Sequence, residues 1–197
     1  MTERREFGNY ITMGQVSAGP HATVWRARHK VTNASVSLTI VPRSEITTPE
    51  LQQALYDYIT MFRRCKHASF QTFYESFDDD ENFYIVAEEV EGHSLASVME
   101  QGKPVHEHNV ARYFSQMISA VDALNENSTL FPGRVTVENL LVDGLNNIRI
   151  LGNGLPVIFK DPLDPRYFSP ETAETANRSW PPSIYELGVL LHCFAFH

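Results

Sequence analysis

The chain opens on alternation. "YITMGQVSA" (residues 10–18), "ATVWRARHK" (22–30) and "ASVSLTIVP" (34–42) carry β-branched and aromatic residues at a period near two, separated by Gly, Pro or Asn. An antiparallel meander follows from that pattern. At residue 48 the period lengthens: "TPELQQALYDYITMFRRC" puts Leu51, Leu55, Ile59 and Phe62 on one helical face, after Thr48 as N-cap and Pro49 in the first turn. "FQTFYESF" and "FYIVAEEV" then flank the acidic turn "DDDEN". They predict a hairpin whose second strand is apolar enough to be buried on both faces, with the turn itself a solvated surface. After "EGHSL" the period becomes helical in "LASVMEQ", in "NVARYFSQMISAVDALNENS" and in the apolar "SIYELGVLLHCFAF". The plan is α+β with two lobes: a five-stranded antiparallel sheet plus one helix over residues 1–89, then a mainly helical lobe over 90–197.

Composition narrows the function classes. With 43% apolar and 20% charged residues, the 197-residue chain has the makings of an ordinary globular core. The net charge of −8 and only four lysines (Lys30, Lys66, Lys103, Lys160) offer no basic surface, so no nucleic-acid or anionic-lipid partner is expected. No apolar run approaches the roughly 18 residues of a membrane span, and Cys65 and Cys193 are two isolated thiols rather than a disulfide framework. A cytoplasmic protein is expected, in which the Asn-x-Ser/Thr matches at Asn33, Asn127 and Asn177 carry no sugar.

Local chemistry is sparse. His106 and His108 have His-x-His spacing, but they fall at a helix start, where residues two apart point to different faces, so a solvated first turn is expected and no metal. No serine stands in a Gly-x-Ser-x-Gly elbow.

The order of elements says more. A Gly-containing strand turn, a third strand, a helix, a hairpin, a short linker, helices and then "ENLLVDGLNNIRILGNGL" (138–155) together resemble the eukaryotic protein kinase domain. "RYFSPE" and "SIYELGVLL" resemble the end of that family's activation segment and its next core helix. The likeness covers nearly the whole chain, and its flavour is that of the calmodulin-dependent and AMP-activated kinase group. It implies a bilobal fold with a nucleotide between a Gly-rich loop, a lysine strand and a metal-binding carboxylate.

Checked against that resemblance, the charged parts differ. The loop reads Ser17, Ala18, Gly19, Pro20, His21, Ala22, keeping only Gly19 of the glycines, and Pro20 removes an N–H donor. Thr39 stands where the lysine belongs, and Arg43, four residues on, lies roughly 13 Å away along a strand. Tyr58 stands at the glutamate that would pair the lysine. The catalytic-loop base falls on Arg134, or on Gly133 if the register is taken from the preceding helix; no aspartate occurs between Asp122 and Asp143 in either case. Gly152 occupies the place of the metal-binding aspartate, followed by Asn153 and Gly154, which leaves Asn139 as one neutral oxygen for a hard cation. The adenine positions are Val24, Ser37 and Leu141, beside a hinge from Glu88 to Val90 and a small residue, Ala87, where a larger one usually stands.

These substitutions lead to the expectation of a catalytically inactive protein-kinase-like domain, not an enzyme, serving as a binding, scaffold or allosteric module for a protein partner. No cofactor is expected, ATP with Mg2+ being poorly served by these positions. The alternative is an atypical serine/threonine protein kinase, or an ATP-binding protein with weak phosphotransfer. A last expectation concerns the C-terminal helix, which in the family lies inside further helices that this chain lacks. The C-lobe is accordingly expected to be truncated after its central helix. Ser183 stands where the family has an anchoring aspartate, and Glu171 lacks the later arginine that pairs with it in the family. Ile184, Leu187, Leu190, Leu191, Phe194 and Phe196, spread round the helix, are expected to leave an interaction surface for a partner or for self-association.

Overall fold

Strands form where the alternation places them. The computed structural model describes residues 4–100, 105–126, 135–152, 155–159 and 184–196. The chain divides into two compact units, one of Met1–Arg63 with Thr72–Val90 and one of Arg64–Gln71 with Glu91–His197. The stretch 64–71 thus belongs with the second unit although it interrupts the first along the chain.

The first unit holds one antiparallel sheet. Its strands are β1 (Glu6–Phe7), β2 (Tyr10–Ala18), β3 (Thr23–His29), β4 (Ser35–Pro42), β5 (Phe73–Asp78) and β6 (Asn82–Glu88), in the order β1-β2-β3-β4-β6-β5. Five are those the pattern predicts. The expected count of five is corrected to six by β1, a two-residue edge strand too short for any periodicity to reveal. It is joined to β2 through Gly8 at φ +52, where a Cβ would lie 3.0 Å from the Phe77 ring.

One face of this sheet is a core of Ala27, Val36, Leu38, Ile40, Tyr84 and Val86, with Leu38 and Val86 fully buried. Aromatic rings cover it. Tyr10 stacks on Phe77 at 6.0 Å and Phe77 on Tyr84 at 4.6 Å, while Tyr10 Oη donates to Glu75 Oε1 at 2.7 Å. β2 and β5 lie four places apart in the strand order, so this contact requires a strongly coiled sheet, the usual result of right-handed strand twist.

Helix α1 (Pro49–Arg64) packs on the other face. Thr48 caps it as expected, its Oγ1 accepting from Leu51 N at 3.3 Å, and it buries Leu55, Tyr58, Ile59 and Phe62. Phe62 meets Phe73 of β5 edge-on at 5.7 Å, and Tyr56 meets Phe83 of β6 at 6.2 Å.

In the acidic turn, Asp79 Oδ1 accepts from the N–H groups of Glu81 (2.9 Å) and Asn82 (2.8 Å), and Oδ2 accepts from Tyr84 Oη at 2.7 Å. Arg43 braces the same turn: its Nε donates to Asp79 O at 2.6 Å, its guanidinium pairs with Asp78, and it lies 4.3 Å over the Phe83 ring.

The second unit has a three-stranded antiparallel sheet, ordered β7 (Gly92–Ser94), β8 (Leu140–Asp143), β9 (Ile148–Ile150). Its helices are α2 (Leu95–Glu100), α3 (Glu107–Glu126), α4 (Leu155–Ile158) and α5 (Ile184–Phe196). Leu95, Met117, Leu140, Ile148, Ile150 and Leu190 are fully buried in its core. The His106 carbonyl accepts from Asn109 N and Val110 N at the start of α3, and the side chains of His106 and His108 are exposed.

Two residues of the expected C-terminal interaction surface are corrected. Leu187 and Leu190 are 6% and 0% exposed, because the i, i+3 pair points into the core that α5 shares with α3. Leu191 is exposed, and the side chains of Ile184, Phe194 and Phe196 lie outside the described residues, as do Glu171 and Ser183. Among the described residues no helix is long and apolar enough to cross a membrane.

The Asp79 contacts generate a pH prediction. The Tyr84 hydroxyl first, then the turn's N–H groups and Arg43, hold the Asp79 carboxyl below its usual range, while burial and Asp79 push the Tyr84 phenol up to about 12. A depressed folded pKa adds stability that is complete above the unfolded value near 3.9 and is lost as pH falls through the folded value. Tyr84→Phe should therefore cost about 0.5 kcal/mol at pH 7, a low figure because Asp79 is exposed. The difference between the two proteins in urea melts should shrink as pH falls through the depressed folded value of Asp79.

Candidate functional site

Side chains two apart on a strand share a face, so the strand register decides which residues meet. Val24 pairs with Thr39 and Thr39 with Ile85, forming one cross-strand row. Arg26 pairs with Ser37, Ser37 with Ala87, and Ala87 with Phe73, forming the next. Both rows lie on the α1 side of the sheet, opposite the Leu38 and Val86 core. Ser37 and Ala87 are small and directly opposite one another, between Arg26 and Phe73, with Ser37 half-buried and Ala87 buried.

Rings stand at the Phe73 end of this row. Phe62 stands edge-on to Phe73, and Tyr58, 4% exposed, stacks on Phe62 at 5.9 Å. Tyr58 is thus a packed aromatic. Thr39 is half-buried, about 6.6 Å along β4 from Ser37. Arg43, fixed on Asp78, Asp79 and Phe83, is committed elsewhere.

At the near end the hinge residues are tied down. Glu88 N donates to Thr72 O at 2.8 Å and Glu88 Oε2 accepts from Thr72 N at 3.1 Å; Glu89 pairs with Arg26, and half-buried Val90 follows. Beyond Val24, Gly19 N donates to Ala22 O at 2.9 Å to close the β2–β3 turn, and His21 Nδ1 pairs with Glu45 Oε2 at 2.6 Å.

In the second unit, Leu141 stands opposite Arg149 on the face of β8 and β9 away from Leu140 and Ile150. Asn139 is 4% exposed: its Oδ1 accepts from Thr136 N at 2.8 Å and its Nδ2 donates to Leu151 O at 3.3 Å. The amide therefore spans the loop from 136 to 151. Gly152 N donates to Gln71 Oε1 at 3.2 Å. Arg134, Gly133, Asn153 and Gly154 lie outside the described residues. Among the described residues no group of three His, Cys, Asp or Glu could hold a metal ion.

A model of the protein kinase domain matches residues 10–197. The chain belongs to the protein kinase domain family. It is 30% identical over 158 residues to CBL-interacting serine/threonine-protein kinase 2 of Arabidopsis thaliana, covering 80% of this chain and 33% of that protein. It is 26% identical over 181 residues to CBL-interacting protein kinase 33 of Oryza sativa subsp. japonica (87% and 40%) and 25% identical over 193 residues to serine/threonine-protein kinase SIK1 of Rattus norvegicus (94% and 25%). This kinase domain thus spans from a quarter to two fifths of those relatives' lengths.

These relatives correct one expectation. The chain was expected not to be an enzyme, on its substituted charged positions; its relatives are named as kinases, and no finding marks this kinase domain as a non-enzyme. An argument from substituted residues removes expected parts without identifying a non-enzymatic activity.

Sequence reasoning missed Arg26, Glu89 and the Gln71 to Gly152 contact. The first two were within reach of the alternation, since 24 and 26, and 87 and 89, share parity. It also missed the polar clamp between α3 and the β8–β9 turn. There Gln116 Nε2 and Arg112 donate to Asn147 Oδ1 at 2.9 and 2.7 Å, and Tyr113 Oη donates to Asn146 Oδ1.

Asn139 supplies a stability prediction. Asn139→Asp keeps the acceptor for Thr136 N but sets a carboxylate oxygen against the Leu151 carbonyl, which should cost about 1 to 3 kcal/mol. Thermal melting without added ligand checks it; an unchanged melting temperature would deny the amide its loop-bridging role.

Proposed function

We propose that this kinase-family domain is an atypical serine/threonine protein kinase that seats an adenine ring on the Val24, Ser37 and Ala87 face and transfers phosphate slowly. The observation that carries the reading is the pairing of Ser37 with Ala87, two small residues opposite one another across β4 and β6 between Arg26 and Phe73. A flat heteroaromatic ring needs such a floor of small apolar groups with backbone polar atoms at its rim, and the rim here is Glu88 to Val90. The names of the relatives support the reaction class.

The slow rate follows from Thr39 and Gly152. Thr39 offers a hydroxyl in place of an ammonium, and Gly152 has no carboxylate for a metal. Loss of one charge-stabilising donor commonly costs about 2.7 to 4 kcal/mol of transition-state stabilisation, or roughly 100- to 1,000-fold in rate. Binding of a protein partner and a cytoplasmic location belong to the same reading. Leu191, exposed on α5, is the described residue that supports a partner contact there, and the isolated Cys65 and Cys193 support a reducing compartment.

Radiolabelled ATP with a mixture of serine and threonine peptides tests the proposal directly. Incorporation should be detectable yet at least about 100-fold below the 1 to 100 per second of ordinary kinases. Ala87→Phe should abolish ATP binding by calorimetry and, because Ala87 is buried, should also lower the melting temperature. Absence of both calorimetric ATP binding at millimolar concentration and incorporation in the unaltered protein would refute the reading.

A further inference from the structure

The segment Glu88–Val90 is held from two sides. Glu88 is tied to Thr72 at the start of β5 by two hydrogen bonds, 2.8 and 3.1 Å. Glu89 is tied instead to Arg26 of β3, although β4 lies between β3 and β6 in the sheet. Such a crossing is open only to long side chains over short ones. Alternation puts Ser35 and Ser37 on the face of β4 being crossed, and either position with a larger residue would block the path.

The burial of the pair is uneven. The Glu89 side chain is 12% exposed and that of Arg26 is 58% exposed. A carboxylate drawn this far out of water is held there by its partner, since an unpaired one would turn back to solvent or take up a proton. Arg26 therefore decides where Glu89 sits, and with it the backbone that Glu89 shares with Glu88 and Val90. Arg26 also stands at one end of the Ser37 and Ala87 row, with Phe73 at the other.

We propose that the Arg26–Glu89 ion pair fixes the hinge backbone for recognition of a purine edge, so that Arg26 is a positioning residue for adenine binding. The inference rests on the nucleotide reading above. Its logic is that of preorganisation: a rim held in place before binding loses less freedom when a ring docks against it.

Calorimetric titration with adenine, on the unaltered chain and on Arg26→Gln, Glu89→Gln, the double Arg26→Gln/Glu89→Gln and Arg26→Lys, tests it. Each single neutralisation should weaken binding by about 3- to 10-fold, and the double should lose no more than the worse single, because both act through one pair. Arg26→Lys, which keeps the charge, should stay within about 2-fold of the unaltered protein. Losses that add in the double, or single variants that bind adenine unchanged, overturn the proposal while leaving the nucleotide reading intact. If the unaltered protein binds no adenine, the purine role falls, while the nucleotide reading is decided separately by the ATP titration and incorporation above. Amide exchange over residues 86–90 then judges the hinge-fixing role alone: faster exchange in each single and no further gain in the double upholds it, and unchanged exchange removes it. Should Glu89→Gln fail to fold, the contrast between Arg26→Gln and Arg26→Lys decides the matter.

Discussion

The register of β3, β4 and β6 is the constraint on which the rest depends. With a side-chain period of two, Ala27, Leu38 and Val86 occupy one face of the sheet while Val24, Thr39 and Ile85 occupy the other. A slip of one residue would exchange the two sets, exposing the fully buried Leu38 and Val86 and burying Arg26. Burial of such apolar side chains, worth roughly 1.5 to 3 kcal/mol each, thereby fixes the site as well as the core. The rings of Tyr10, Phe77 and Tyr84 add closure by bringing the far strands of the coiled sheet into contact. The small pair Ser37 and Ala87 lies on the reverse side of the Leu38 and Val86 layer.

The second unit is organised by a strand-like visitor. Ser69 O accepts from Ile150 N at 2.6 Å, and Gln71 N donates to Ile150 O at 2.9 Å, so the stretch 64–71 runs beside β9. The Gln71 side chain then accepts from the backbone N–H of Gly152, just past β9. On the other side of the same hairpin, Gln116 Oε1 accepts from Ile148 N at 2.8 Å, and Asn147 and Asn146 take donors from α3. β9 is thus held by α3 and by residues 69–71. The polar groups of a short hairpin are satisfied by side chains where the ladder itself is too narrow to do so.

Legibility in the sequence followed the range of the interaction. Strands β2 to β6 and helices α1, α3 and α5 could be read because their signals, alternation and the Thr48 cap, are local. β1 escaped because two residues carry no period. The assignment of 64–71 to the second unit was invisible for a different reason: it is made by hydrogen bonds across some 80 positions of chain, from Ser69 to Ile150, to which no local pattern refers. The exposed apolar face foreseen on the last helix shrank because Leu187 and Leu190 found α3. Apolar residues all round a helix show that it is covered on several sides, and do not show by what. At the site, Thr39 and Tyr58 were placed by resemblance, while the Arg26 to Glu89 crossing needed the register and was left unread.

The substituted charges are compatible with kinase-family chemistry once the sources of rate are separated. Phosphoryl transfer asks little covalent chemistry of the protein: its acceleration comes from holding donor and acceptor in line and from stabilising charge. On the proposed reading Thr39 and Gly152 weaken the second source, while the first depends on the Val24, Ser37 and Ala87 face and the Glu88 to Val90 rim, which the substitutions leave alone. Groups that act as a unit also fail to add when removed, so a chain that has lost several partners of one charge network loses much less than the sum of the single losses. The same reasoning explains why Tyr58 is tolerated. Without a lysine at 39, a glutamate at 58 would be a carboxylate in a 4% exposed position with no cation to meet it, whereas a ring stacked on Phe62 contributes packing. Once one member of a buried ion pair is replaced, burial itself favours replacing the other.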